Sequence, residues 1–466
     1  MESTAMRTYV GRTPLIRAKN LEEKLGIRKI YLKLEGNNPS GHLEDRLAYL
    51  IVRDALSKGQ KHICLGNSGR LLYSLAYLSK YFDVNLVLFA PKDSRIPQDH
   101  IIRENDKIEI HQVGENEVDC IEKSNQCAEE NGYYNANPGM TNNILYLYSF
   151  SYLASEINTR LKKDPTTFFS QTGEGFSISG LYSGLKQSWI NEEIERLPKL
   201  YACSTSEGNP IVESFKQGSR EIIKVQEEDI SESKYNKNLV HQIDANAQEA
   251  LNAVYDTKGA VISISDEELL RYKEEFQAVE NIRVSTENAY PIAAFMKTHE
   301  EGKLENGTHV IILKDGKVDL DIQEVTKKTL PLPYDEFLEL LDNWLVQYSD
   351  PLVEIQEAFD NALEGGFVLT AYFDDELAGI CVLSKTSFDE FFPKYHLSYI
   401  ATKKDIKGKG IGTQLMQRAI ELSEGNVSLH VEVENENAIK LYEKMGFKRK
   451  YYRMLYDGLE KYEAQE

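Results

Sequence analysis

The stretch whose residue types most plainly suit chemistry is Lys407-Gly408-Lys409-Gly410-Ile411-Gly412, set between a β-branched run and an apolar-periodic one. Glycines at a strand-to-helix turn let backbone N–H groups approach an anion closely, and a helix start adds the positive end of its dipole. Lys407 and Lys409 add charge of the same sign. Taken alone, such a turn reads equally as a tight connection. Upstream, His396 shares a strand face with Ser398, Ile400 and Thr402 by period-2 spacing. An unperturbed imidazole titrates near neutrality and could take a proton from an ammonium, directly or through water. A histidine with only a structural role fits the position equally well. Downstream, the spacing predicts a strand that puts His430, Glu432 and Glu434 on one face, to meet a cationic acceptor or simply to form a polar sheet face. The polar face is slightly the better reading.

A second stretch, "NNPSGHLEDR" at 37–46, has the look of a site whose working residue is absent. An Asn-Pro-Ser-Gly turn comes after the β-rich "KIYLKLEG" and leads into the helical pattern "LEDRLAYLIVRDALSKG", with the carboxylate of Glu44 near its start.

These stretches need elements to position them. Up to about residue 320, short β-branched runs ("HICLG", "NLVLFA", "KIEIHQV", "TTFFSQTG", "HVIILKDG") alternate with helical ones such as "LYLYSFSYLASEIN" and "AYPIAAFMKTHEEG". That alternation predicts a parallel sheet covered by helices on both faces. Two prolines and a charge cluster in "DIQEVTKKTLPLPYDEF" break the pattern, so we expect one domain over 1–320 and another over 321–466. The second opens with two helices and continues as a meander, "GFVLTAYFDDELAGICVLSK", turning at Asp374-Asp375.

Composition narrows the function classes. A chain of 466 residues exceeds one ordinary core. A formal charge of −20 argues against a general nucleic-acid surface. It fits a solvated acidic surface better than a preference for cationic substrates. Cys64, Cys120, Cys127, Cys203 and Cys381 form no CxxC pair, which argues against disulfides and structural zinc, so no metal is expected. No run reaches membrane-spanning length and the first residues hold no apolar signal core, so a cytoplasmic protein is expected.

Residues downstream of the glycine turn give it weight. "VSLHVEVENENAIKLYEKMGF" supplies Asn435, Ala438, Tyr442, Gly446 and Phe447 in the order N-x-x-A-x-x-x-Y-x-x-x-G-F. With the turn matching R/Q-x-x-G-x-G/A from Lys407, residues 322–456 resemble the GNAT acetyltransferase family. The resemblance implies acetyl-CoA as donor and an amine as acceptor. It places the coenzyme along Ile400 and Thr402, on Lys407, Gly408, Lys409, Gly410, Ile411, Gly412 and Thr413, and at Asn435. It makes Tyr442 the proton donor to the departing thiolate, against a bland reading as a core aromatic. His396 stands where many relatives carry a glutamate base.

The amino-terminal motifs carry a different resemblance. "GRTPL", "YLKLEGNNPSG" and the helix after them are similar to fold-type-II pyridoxal-phosphate enzymes, the cysteine synthase and threonine synthase group, which read N-P-[ST]-G-S-[FH]-K-D-R. This implies an open parallel-sheet, tryptophan-synthase-β-like fold in two lobes, and is compatible with a homodimer through this domain. Asn38-Pro39-Ser40-Gly41 and Asp45-Arg46 set the register, so Glu44 holds the Schiff-base lysine position. A carboxylate cannot form an imine. Asn67 persists where the cofactor's phenolic oxygen would be met, whereas the phosphate cup reads Gly173-Glu174-Gly175-Phe176-Ser177. Glu174 opposes a phosphate and Phe176 fills space that glycine leaves open, so pyridoxal phosphate is not expected. Three readings are open. The favoured one is an N-acetyltransferase on an amino acid or related small amine, with a pyridoxal-phosphate-fold domain that binds an amino acid or regulates. The others are a bifunctional pyridoxal-phosphate enzyme using a displaced lysine such as Lys33 or Lys314, and a non-catalytic scaffold.

Overall fold

The computed structural model describes residues 10–66, 69–92, 102, 105–140, 142–161, 164–240, 246–387, 393–406 and 408–450. The strands run, in chain order, β1 (Leu15–Arg17), β2 (Ile30–Leu34), β3 (His62–Gly66), β4 (Asn85–Ala90), β5 (Ile108–Gln112) and β6 (Tyr134–Asn135). Next come β7 (Thr167–Gln171), β8 (Lys199–Thr205), β9 (Ala260–Ile264), β10 (Ile282–Arg283), β11 (His309–Leu313) and β12 (Lys317–Val318). The last set is β13 (Asp321–Val325), β14 (Phe367–Phe373), β15 (Glu376–Lys385), β16 (Tyr395–Thr402) and β17 (Val427–Leu429).

The first twelve strands build two open sheets, ordered β1-β2-β11-β7-β8-β9 and β5-β4-β3-β6, plus the small pair β10-β12. Apart from β1, the strands of both large sheets pair in parallel. Every residue of β7 and β11 is buried, as expected for parallel strands with both faces covered by helices. This two-lobed arrangement is the one expected for the amino-terminal region.

β13 to β17 form a separate five-stranded sheet in sequence order. Its first four strands pair antiparallel and the last pairing is parallel. Asp374 and Asp375 both take positive φ, 52° and 60°, the two left-handed residues that a tight hairpin turn requires. The helices Tyr334–Leu345 and Leu352–Gly365 bury Phe337, Leu341, Ile355 and Phe359 on this sheet. On its other face the helix Ile411–Leu422 buries Ile411, Leu415, Met416 and Ala419. Gly379 admits that helix: a Cβ there would begin 2.7 Å from Leu415 Cδ1.

One expected strand is shorter than its sequence suggests. β17 ends at Leu429, so His430, Glu432 and Glu434 lie beyond it and are exposed rather than ranked on a sheet face. The reason is pairing. β16 meets β17 only from Tyr395↔Val427 to Leu397↔Leu429, after which no ladder among the described residues holds 430–434 extended. Among the described residues no helix is long and apolar enough to cross a membrane, and no cluster of His, Cys, Asp or Glu is placed to hold a metal ion.

Candidate functional site

The glycine turn enters the helix Ile411–Leu422 through Gly410, whose φ of 84° is left-handed; Gly408 has the same φ. No side chain among the described residues caps this helix, so its first N–H groups are left for another acceptor. The half of β16 past Leu397 lacks a partner on its β17 side among the described residues. Together these offer a helix N-terminus for a pyrophosphate and a strand edge for an amide-bearing chain.

Tyr442, on the helix Glu436–Lys444, packs into the same apolar cluster as Ile411, Leu415 and Cys381. Burial, then nearby Cys381, pushes its hydroxyl well above the usual phenol range. A phenol so placed stays protonated at neutral pH, as a proton donor must. His396 shares its half-buried face with Ser398, Ile400 and Thr402, as the spacing predicted. Its Nδ1 lies 3.0 Å from Ser428 Oγ and its ring centroid 4.8 Å from that of His430. Burial, then His430, lowers its pKa to about 4, which corrects the expectation of titration near neutrality.

Two other expectations change in detail. The Asn435 carbonyl caps its own helix, accepting from the Ala438 N–H at 3.1 Å, so only its Nδ2 could face a coenzyme. Lys409 turns its ammonium over the Phe373 ring, 3.8 Å from the centroid. Lys407 and Asn67 lie outside the described residues.

In the amino-terminal domain, Glu44 immediately precedes the helix Asp45–Ser57 but does not cap it; its carboxylate pairs with His42 and with Lys314 Nζ at 3.6 Å. Burial alone would raise its pKa, but His42 and Lys314 outweigh burial and hold it at about 2. Lys33 is not available nearby. Its amine donates to Glu156 and to the Thr13 carbonyl, both at 2.8 Å, within a buried set completed by Glu35 and Arg46. At the second motif, Gly175 caps the helix Phe176–Ile190 with φ 98°, and a Cβ there would begin 2.4 Å from the Asn246 carbonyl oxygen. Glu174 stands one residue before that cap and Gly173 one before it. Phe176 packs on Tyr146 with centroids 4.7 Å apart, and the Ser177 hydroxyl donates to the Gln171 carbonyl at 2.8 Å.

Residues 6–315 match the family model for pyridoxal-phosphate dependent enzymes. The chain belongs to that family. Residues 334–447 match the acetyltransferase (GNAT) family, so a pyridoxal-phosphate-enzyme domain of fold type II is fused to a carboxy-terminal GNAT domain. The threonine synthase of Methanocaldococcus jannaschii is 28% identical over 321 residues, covering 68% of this chain and 76% of the relative. That of Methanosarcina acetivorans is 25% identical over 318 residues, with coverage of 68% and 76%. Among solved structures, processed threonine deaminase isoform 2 from Solanum lycopersicum gives a TM-score of 0.56 at 16% identity, over 67% of this chain and 82% of that one. A fungal L-serine ammonia-lyase from Rhizomucor miehei gives 0.55 at 18% identity, over 67% and 95%. These likenesses show the fold.

With the family established, two neighbours stand out that the motifs did not flag. His42 became a partner of Glu44 only through the turn that joins them. Asn37, one residue before the Asn38-Pro39 turn, reaches the GNAT glycine loop: a Cβ on Gly410 would begin 2.4 Å from Asn37 Nδ2. Farther along the same helix, Gln414 Nε2 donates to the Val318 carbonyl at 2.8 Å. The only sequence signal for these contacts was the glycine at 410 itself, which the coenzyme reading already explained.

Proposed function

We propose that this protein is an N-acetyltransferase that moves an acetyl group from acetyl-CoA to a small-molecule amine, an amino acid or a related compound. We take its domains to divide between residues 320 and 321. The observation that carries the reading is the helix 411–422, glycine-entered and uncapped among the described residues, beside the stretch of β16 past Leu397 that has no partner on its β17 side among those residues, with Tyr442 buried against the same helix. N–H groups of residues 408–413 would bind the pyrophosphate, with Ile400 and Thr402 along the pantetheine arm. The acceptor nitrogen then forms a bond to the acetyl carbon as the carbon–sulfur bond breaks. Tyr442 gives its proton to the leaving sulfur, and the proton lost by the amine passes to His396, neutral above about pH 4, or to water. Glu432 and Glu434, exposed beyond β17, offer charge to a cationic acceptor. A screen of acetyl transfer to amino acids and polyamines, read by mass spectrometry, tests this; no acetylated product with any amine would refute it.

For the amino-terminal domain we infer binding without pyridoxal phosphate. Its residues fit that cofactor poorly: Glu44 lacks a nucleophilic amine, Lys33 is held by Glu156 and Thr13, and Glu174 brings a negative charge to the helix start where a phosphate would sit. Glu44 and Lys314 side by side suit the ammonium and carboxylate of an amino acid, which would bind there to feed or regulate transfer. Association of two copies through this domain would fit the same picture. One observation favours a second reading, a pyridoxal-phosphate enzyme like the threonine synthases it resembles: the Lys314 amine lies 3.6 Å from Glu44 Oε1, inside the same site. Cofactor absorbance in the purified protein, with borohydride trapping on Lys314, would establish that alternative instead.

A further inference from the structure

The contact between Asn37 and Gly410 joins the two motif-bearing loops of the molecule. Asn37 ends the short 3-10 turn Glu35–Asn37, and its surroundings hold that turn firmly. Gly36 N–H donates to the Gly316 carbonyl at 3.0 Å, and a Cβ on Gly36 would begin 2.3 Å from the Asp315 carbonyl oxygen. The Glu35 carboxylate accepts from Arg46 Nε at 2.7 Å and Nη2 at 2.9 Å. The backbone is therefore fixed, and the carboxamide projects toward the glycine loop.

The oxygen of that carboxamide has no partner among the described residues to explain it. Asn37 is 4% exposed, yet its Oδ1 has no hydrogen-bond partner among the described residues. A buried polar atom left unpaired is costly, so this oxygen calls for a donor. The two loop glycines differ in the same sense. A Cβ on Gly408 would meet nothing within 4 Å, whereas one on Gly410 would strike Asn37. Among the described residues one side of the loop is open, and the other is faced by a side chain from the neighbouring domain. A carboxamide presents N–H donors and a carbonyl acceptor together, which suits a phosphate oxygen beside a hydroxyl donor of the nucleotide half. Coenzyme A carries both groups.

We propose that Asn37, from the pyridoxal-phosphate-fold domain, completes the coenzyme A pyrophosphate site of the GNAT domain. The proposal rests on the acetyl-CoA reading given above. It makes the fused domain part of the donor site, so the coenzyme A loop and the turn leading to Glu44 respond to each other's ligands.

The test measures coenzyme A and pantetheine binding to the full-length chain by calorimetry for the wild type, Asn37→Ala and Asn37→Asp. Losing one phosphate-side hydrogen bond in Asn37→Ala should weaken coenzyme A about 10-fold. Asn37→Asp, which sets a carboxylate against the phosphates, should weaken it about 100-fold. Pantetheine, which has no pyrophosphate, should bind all three alike. Independently of any variant, coenzyme A should slow amide hydrogen exchange over 35–38 as well as 408–413 in the wild type. Wild-type coenzyme A affinity in both variants, equal losses for coenzyme A and pantetheine, or no protection over 35–38 would each overturn the assignment. A wild-type chain that binds no coenzyme A would overturn the acetyltransferase reading and this one with it.

Discussion

Two helix entrances in this protein share a backbone and differ in side chains. The helices Phe176–Ile190 and Ile411–Leu422 each begin at a left-handed glycine, Gly175 and Gly410, and neither has a side-chain cap among the described residues. Each therefore points unsatisfied N–H groups and a positive dipole end at the space before it. In the GNAT domain that space is approached by glycines and flanked by Lys409. In the amino-terminal domain Glu174 precedes the cap, so the carboxylate itself suits the dipole, while Phe176 packs on Tyr146. The fold supplies the same glycine-entered helix start twice, and two or three side chains distinguish the two.

Gly410→Asp would erase the difference between the two entrances most completely. The substitution adds negative charge and places a Cβ against Asn37 at a left-handed position, and it should abolish measurable acetyl-CoA binding in calorimetry. Binding at wild-type strength would show that the pocket lies elsewhere. Tyr442→Phe comes next. It retains the packed ring and removes the hydroxyl, so kcat should fall about 10- to 10⁴-fold while acetyl-CoA affinity holds. Unchanged turnover would remove Tyr442 from the chemistry.

From the other side, Glu174→Gly should strengthen pyridoxal phosphate or inorganic phosphate binding about 10-fold, because a like-charge repulsion of roughly 1 to 4 kcal/mol is lifted. A fluorescence titration that shows no gain would mean Phe176 and the closed cup, rather than charge, exclude the anion. His396→Ala should have a smaller effect. With a pKa near 4 the imidazole is already neutral at pH 5 to 8, so its loss should leave the shape of the rate profile unchanged over that range. Any histidine-dependent limb should appear only as pH falls toward 4. A limb near pH 6.5 that vanishes in the variant would mean the ring is more solvated than its burial implies.

The last effect, on stability, should be the weakest. The depressed pKa of Glu44, about 2, means the folded state favours the ionised form. Its contribution is present above the ordinary glutamate range and is lost as pH falls through that range toward 2. The difference in thermal midpoint between wild type and Glu44→Gln should therefore shrink over that window. A constant difference would show that the pairing with His42 and Lys314 is not what depresses the pKa.

Much of the fold was legible because its signals are local. The runs "HICLG", "NLVLFA" and "HVIIL" became β3, β4 and β11, and the alternation of strand and helix was enough to require parallel sheets. Asp374-Asp375 turned as a hairpin should. The strand expected over 427–434 failed because apolar alternation says nothing about whether a neighbour remains alongside, and β16 stays paired to β17 only through Leu397. The expected pKa of His396 failed for a related reason: it depends on burial and on His430, which residue type does not report.

What the sequence determined by itself is which residue type stands at each motif position. Between Asn38-Pro39-Ser40-Gly41 and Asp45-Arg46 stands the carboxylate of Glu44, and no packing can turn a carboxylate into an amine. The order of Lys407, Gly410, Asn435 and Tyr442 likewise marked the second family. Only the tertiary structure decided which distant groups meet: Glu44 with Lys314, Lys33 with Glu156, and Asn37 with Gly410. Those meetings are set by how the sheets and the two domains pack across long stretches of chain. A sequence motif carries its own chemistry in the backbone beside it, but its partners arrive through space.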